Sequence, residues 1–225
     1  MRNLLISFPR SGRAWTLTIA AALSELLPGG MTHQHRANGA AVHSRSRYKS
    51  CKRGLSNFNV VLTTRDPRDV VVSYWHLLHF RQKRSPAVDM ELGEWVRQDE
   101  GLAYAVRFLN DWGLAIAKNQ VPRITLLNYE GMKVDPRPYI VDMARRFEVD
   151  RDLLTPALLD EVVKRSTAEA VRRRFAHSNG EPDSRMHSVR RAEAGVWREY
   201  FSPADAEWVD DYVEENLLYF RGQYA

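Results

Sequence analysis

The sequence predicts an α/β protein built on a central parallel sheet, with a helix-rich C-terminal half. Two observations carry that reading and a third sets the proportions. Leu4–Ser7 is a short apolar run that passes through a tight polar loop into a long apolar, Ala-rich segment, Ala14–Leu27. Asn59–Thr64, NVVLTT, does the same into Asp69–Phe80, and a β-branched run bounded by polar residues suits a strand buried on both faces. Strands that alternate with helices build parallel sheets. In the second half, amphipathic helical patterns outnumber strand-like runs.

In chain order, the first strand is Leu4–Ser7 and the first helix Ala14–Leu27, ended by Pro28-Gly29-Gly30. A short strand is expected near Gly30–His33, followed by a polar stretch to Tyr48 that holds His33, His35 and His43. After the second strand, Asp66 suits an N-cap and Pro67 the first helical position. Gln82–Asp89 reads as a loop. Met90–Arg97 and Leu102–Lys118 read as helices, the latter with Ala105, Phe108, Leu109, Trp112 and Ile116 at core spacing. Ile124–Leu127 is a third strand, and Pro138–Phe147, Pro156–Lys164 and Ala168–Phe175 are helices. Ala176–Val189 is rich in loop-forming residues. Ser202 caps a last helix to about Leu218, with Asp205 in a capping-box-like position.

Composition narrows the function. The 225 residues are read as one domain, 1–225, of ordinary globular make-up: 44% hydrophobic and 27% charged. The net charge of +5 serves either solubility or an anionic ligand. No nucleic-acid motif is present, so nucleic acid is not an expected partner; Arg172–Arg174 reads as a solvated face. Cys51, the single cysteine, excludes an intramolecular disulfide framework and a Cys-rich zinc site, which points to a reducing, cytoplasmic setting. No apolar run nears the ~20 residues of a membrane span. The three clustered histidines lack a visible acidic second shell, so no metal is expected.

The chemistry concentrates in Asn3–Trp15, NLLISFPRSGRAW. A strand–loop–helix step at the edge of a parallel sheet is where ligands bind, and the N–H groups of the loop and helix start favour an anion. Arg10, Ser11 and Arg13 add donors there, and Trp15, one turn in, offers an aromatic face to a purine. A nucleoside-triphosphate loop would read G-x-x-x-x-G-K-[ST] and a dinucleotide loop G-x-G-x-x-G; neither is present. The one acid directly after a buried strand, Asp66, precedes a proline and suits a helix cap better than a magnesium site. The loop therefore suggests a nucleotide-like anion without the usual metal. A nucleoside or nucleotide kinase on a similar scaffold and a non-enzymatic anion or nucleic-acid binding module stand as alternatives.

Four segments, in order and covering nearly the whole chain, resemble the sulfotransferases that use 3′-phosphoadenosine 5′-phosphosulfate (PAPS). SFPRSGRAW resembles their 5′-phosphosulfate loop and TTRDPRDVVVSYWH their 3′-phosphate segment. LLNYEGMKVDP resembles the strand and turn between the 3′-phosphate segment and the C-terminal one, and VRRAEAGVWREYFS the C-terminal segment over the 3′-phosphate. The resemblance implies a three-layer, P-loop-NTPase-like fold and in-line transfer of a sulfuryl group from PAPS to a hydroxyl or amine, releasing PAP. It implies that Arg10 stands where the cytosolic enzymes usually have a lysine, and that Ser11, Gly12, Arg13 and Ala14 serve the 5′-phosphate. Trp15 matches the residue stacked on adenine, Tyr129 lies near adenine, and Ser166 matches a nucleotide-contacting hydroxyl. Arg65, Ser73 and Arg190 match the 3′-phosphate residues, with Arg191 for the usual lysine and Ala192 for the usual glycine.

The same resemblance calls for a histidine as general base, since a near-neutral imidazole suits that work. Met31-Thr32-His33 at a strand end favours His33; His43 and His35 stand as alternatives. Arg10, permanently charged, is expected to stabilise charge rather than give up a proton. Arg65 could instead pair with Asp66 or Asp69 at the surface. Trp95, Trp112, Trp197 and Trp208 are expected to pack, whereas some of Tyr74, Trp75, His76 and His79 are expected to face the acceptor. The acceptor, a small molecule or a glycan or lipid, is not specified by the sequence, and a homo-oligomer remains open.

Overall fold

The computed structural model describes residues 2–27, 55–83, 87–175 and 192–224. Three parallel strands form the sheet in the order β1 (Arg2–Ser7), β2 (Phe58–Thr64), β3 (Ile124–Asn128). Ser7 lies beside Thr63 and Thr64 beside Asn128, so all three carboxyl ends finish at one edge. The β-branched run sits at the centre, with Asn59 through Thr64 all buried.

Side chains that alternate along these strands feed two cores. Leu4, Ile6, Phe8, Val60 and Leu62 point to one face, where they join helices α2 (Pro67–His76), α3 (Leu92–Trp95), α4 (Leu102–Ala117) and α9 (Pro203–Asn216). Leu5, Val61 and Leu127 point to the other, against α1 (Arg13–Leu26), α6 (Arg137–Arg146) and α7 (Pro156–Arg165). The result is the three-layer, helix–sheet–helix arrangement of a P-loop-like α/β fold, with most of the helix after β2. Short helices α5 (Tyr129–Val134), α8 (Ala168–Phe175) and α10 (Arg221–Tyr224) complete it.

Several elements differ from their sequence expectations for visible reasons. The expected helix over Met90–Arg97 is one turn, because the chain folds back on it: Gln98 N–H donates to Trp95 O and Leu102 N–H to Val96 O. After α2 the helix widens into a π-helical turn, Leu77–Gln82, which sets the His79 ring 4.4 Å from Trp75 and ends at Lys83 with φ 47°. α9 stops at Asn216 because Asn110 Oδ1 takes the Leu218 N–H at 2.8 Å. Ala105, Phe108, Leu109 and Trp112 are core, as their spacing predicts, while Ile116 is only partly buried. The strand expected near Gly30–His33 and the loop expected over Ala176–Val189 lie outside the described residues, as does Cys51.

Candidate functional site

The three strand ends deliver three short stretches to one place. The first is the loop from Phe8 to Gly12. Ser11 N–H closes it onto Phe8 O at 3.2 Å, while Arg10 and Gly12 take left-handed backbone, φ 73° and 92°. A Cβ on Gly12 would lie 2.7 Å from Tyr129 Cδ2, so this turn needs glycine for space as well as for conformation. α1 starts on Gly12 with no side-chain cap and no acid in its first turn. No side chain of the cap position takes its leading N–H groups, and its positive dipole end lies beside Arg10 and Arg13. Burial lowers the Arg13 guanidinium from its ordinary pKa, the mark of a cation short of compensating solvent.

The second stretch follows β2 and is built differently. Asp66 Oδ1 caps α2 by accepting the Arg68 N–H at 2.9 Å, and Pro67 occupies the first turn. The Asp66 carboxylate also holds the Arg68 guanidinium, whose other partners are Asp210 and Tyr224 O. Glu130 lies behind this turn, accepting the Asp66 N–H at 3.0 Å and an Asn128 Nδ2–H at 3.1 Å. Burial is the leading cause that raises both the Asp66 and Glu130 carboxyls above their ordinary values.

Arg65, at the end of β2, is gripped from several sides. It donates to Arg10 O at 3.3 Å and Glu193 O at 2.8 Å, and lies 3.5 Å from Asp69 Oδ2. Its guanidinium carbon sits 4.4 Å over the Tyr129 ring. The sequence left Arg65 to pair with Asp66 or Asp69 at the surface; the pair is with Asp69, and side-chain exposures of 11% and 1% place it inside. Asp66 is taken by Arg68 instead. One turn further along α2, Ser73 Oγ accepts from Arg10 Nε at 2.9 Å, a direct tie between the two strand–loop–helix steps.

The third stretch is α5, N-capped by Asn128, which takes the Gly131 N–H at 2.7 Å. It brings up Tyr129, buried and set edge-on to Trp15 with ring centroids 5.7 Å apart, together with Met132 and Lys133. Burial pushes the Tyr129 phenol up. These stretches line a cavity of about 1080 Å³. Trp15 and Met132 line it from the α1–α6–α7 core, with Ser166 and Val171 also in the lining. Tyr74, Tyr104 and Tyr200 line it from the α2–α4–α9 core, with Leu77 also in the lining. The cavity thus straddles the sheet's carboxyl edge, where ligands of open α/β sheets bind.

Of the residues singled out from the sequence, Arg10, Gly12, Arg13, Ala14, Trp15, Arg65, Ser73, Tyr129, Ser166 and Ala192 all line this cavity. Ser11 does not: it is 3% exposed, tucked beneath the loop. Ser166 faces the cavity, but its hydroxyl is spent on Val163 O at 3.2 Å. Arg190, Arg191, His33, His35 and His43 lie outside the described residues. Of the expected acceptor-facing group on α2, only Tyr74 lines the cavity; Trp75, His76 and His79 turn into their own aromatic cluster. Trp95, Trp112, Trp197 and Trp208 line no part of it. Sequence reading missed Lys133 and Val171, which carry no motif of their own, and gave Asp69 only a surface role, although its spacing four residues after Arg65 was the available signal.

Among the described residues no group of histidines, cysteines and acids could hold a metal, and no helix is long and apolar enough to cross a membrane. A family model described as "Sulfotransferase domain" matches residues 48–220. The Arabidopsis thaliana protein "Cytosolic sulfotransferase 17" is 26% identical over 177 residues, 72% of this chain; the chain spans only 50% of that protein's length. "Flavonol 3-sulfotransferase" from Flaveria bidentis is 24% identical, with 95% of this chain and 80% of that one covered. The crystal structure of mouse sulfotransferase SULT7A1 complexed with PAP superposes with a TM-score of 0.70 at 15% identity, over 98% of this chain and 84% of that one. Retinol dehydratase in complex with androsterone and inactive cofactor PAP gives 0.68 at 16%, over 97% and 82%. At such identities the superpositions speak for the fold.

Proposed function

Because the chain belongs to the sulfotransferase-domain family, we propose that it is a PAPS-dependent sulfotransferase acting as a single domain over residues 1–225 in the cytoplasm, on a hydroxyl or amine of a small acceptor. One observation carries this reading: the uncapped start of α1, Arg10, Arg65, Ser73 and Trp15 converge on one cavity at the carboxyl edge of the sheet. The cavity also has the chemistry to take such a nucleotide. Arg10, Arg13 and Arg65 bring positive charge to its lining, and Trp15 an aromatic side chain.

PAPS supplies the sulfuryl group and a good phosphate leaving group. The chain's part is to position and to stabilise charge. The amides of Gly12 to Ala14, with Arg13, would take the 5′-phosphate at the helix start, and Trp15, with Tyr129 and Ser166 nearby, the adenine. Arg65, Ser73, Arg190, Arg191 and Ala192 would take the 3′-phosphate. Arg10 would spread its charge over the bridging and sulfuryl oxygens. His33 is assigned as the general base that takes the acceptor's proton, with His43 and His35 behind it; neither described histidine, His76 or His79, lines the cavity. The lining by Tyr74, Leu77, Tyr104 and Tyr200 supports a neutral, largely apolar acceptor over a charged one.

Asp66 is engaged by Arg68 and by the cap of α2, which supports a metal-independent reaction over a kinase. The test is a thermal-shift comparison of PAP with ATP plus magnesium, followed by PAP release from PAPS across phenols, alcohols and amines. Stabilisation by PAP and turnover with a neutral hydroxyl acceptor are expected. Stabilisation by ATP plus magnesium alone would overturn the assignment.

A further inference from the structure

Asp69 stands out as a buried charge that an anion site should not want. It is 2% exposed, lines the cavity and sits against Arg65. A carboxylate beside an arginine weakens that arginine's pull on a phosphate, so on charge alone Asp69 opposes the ligand. What it gives in return is geometric. Asp69 Oδ2 accepts the Gly195 N–H at 2.7 Å, while Arg65 gives a hydrogen bond at 2.8 Å to Glu193 O, two residues earlier. The Arg65–Asp69 pair thus holds a carbonyl and an amide of the same short segment. The backbone of that segment is turned by left-handed residues at both ends, Ala192 with φ 57° and Gly195 with φ 77°. None of these bonds uses a side chain of the segment.

We infer that Asp69 is a positioning residue for the anion-binding corner at Arg65. By accepting the Gly195 N–H it sets the Ala192–Val196 backbone in register with the Arg65 guanidinium, and nucleotide affinity depends on that acceptor rather than on the negative charge. This rests on the reading of the cavity as a PAPS site. It separates two properties of one side chain. Asp69→Ala removes acceptor and charge together. Asp69→Asn keeps an oxygen for Gly195 and removes only the charge.

The experiment measures PAP affinity by calorimetry and PAPS kinetics for the full chain and both variants, with amide hydrogen exchange at Gly195. Asp69→Ala is expected to raise the PAP Kd and the KM for PAPS about tenfold while kcat changes by less than about twofold, since the residue touches no reacting atom. Asp69→Asn is expected to bind PAP at least as tightly as the parent and to keep Gly195 protected. Parent-like PAP binding by Asp69→Ala, or an Asn variant as impaired as the Ala variant, would overturn the inference. If Asp69→Ala does not fold, the Asn variant decides: parent-like or tighter PAP binding with Gly195 protected sustains the inference, and weakened binding overturns it. If the parent binds no PAP, the functional reading fails first. Gly195 exchange in the free proteins then tests the register by itself: faster exchange in the Ala variant alone supports it, and equal exchange in all three overturns it.

Discussion

The two strand–loop–helix steps look alike in the sequence and are built on opposite plans. After β1 the loop leaves α1 uncapped, takes left-handed backbone at Arg10 and Gly12, and offers main-chain donors. After β2 the turn caps itself with Asp66 and Pro67, takes the Arg68 N–H on the Asp66 carboxylate, and offers side chains, Arg65 and Ser73. The first step spends conformational strain to expose backbone; the second is locally relaxed and works through a guanidinium and a hydroxyl. An anion site can be made either way, and here the two kinds meet directly, through Arg10 on Ser73 and Arg65 on the Arg10 carbonyl.

The sharpest way to break this contrast is Arg65→Ala. It removes the side-chain donor and leaves Asp69 buried without its cation, and the loss of PAP affinity is expected to be about 2–5 kcal/mol by titration calorimetry. Retained PAP binding would mean that the second step is structural. Asp66→Ala should hit the fold instead: loss of the α2 cap is expected to cost about 1–2 kcal/mol in a denaturant melt. PAP binding should stay within about threefold of the parent, well under the 1.4 kcal/mol of a tenfold change.

Arg10→Gly sharpens the first step. Relief of left-handed strain is expected to stabilise the fold by about 1 kcal/mol, while sulfuryl transfer is abolished with the guanidinium. A variant both less stable and inactive would show that Arg10 is held by its contacts rather than strained. The smallest expected effect concerns Glu130, whose carboxyl is raised mainly by burial. A folded-state pKa above the unfolded one means that the charged form costs stability, so stability falls as pH rises from the unfolded value through the folded one. Glu130→Gln keeps an oxygen for the Asp66 N–H. It is expected to melt above the parent at pH 8, with the gap closing as the pH is lowered; a constant gap would remove the charge from the explanation.

Much of this was legible beforehand because it is local. Arg-Asp-Pro after a β-branched run gives a strand end, a cap and a helix start with no tertiary information, and all three stand as read. What the sequence hid was set by packing. Nothing in Pro9-Arg10-Ser11 announces that an arginine, rather than the serine after it, takes the left-handed turn and that Ser11 goes under the loop. Asp69 reads as one more surface charge until α2 is packed against the sheet. The turn at Leu77–Gln82 obeys helical periodicity on paper and widens in the structure, which brings His79 against Trp75. His33, His35, His43 and the Arg190-Arg191 pair rest on resemblance, since they lie outside the described residues.

The cavity's position between two cores has a consequence for how such a protein could diversify. Trp15 and Met132 are seated on one hydrophobic cluster, Tyr74 and Tyr104 on the other, and only the sheet belongs to both. Drift in the Phe8–Tyr104 layer would reshape one mouth of the cavity while the opposite wall, anchored on separate side chains, kept its dimensions. A chain partitioned in this way can reshape one wall of its cavity without renegotiating the other.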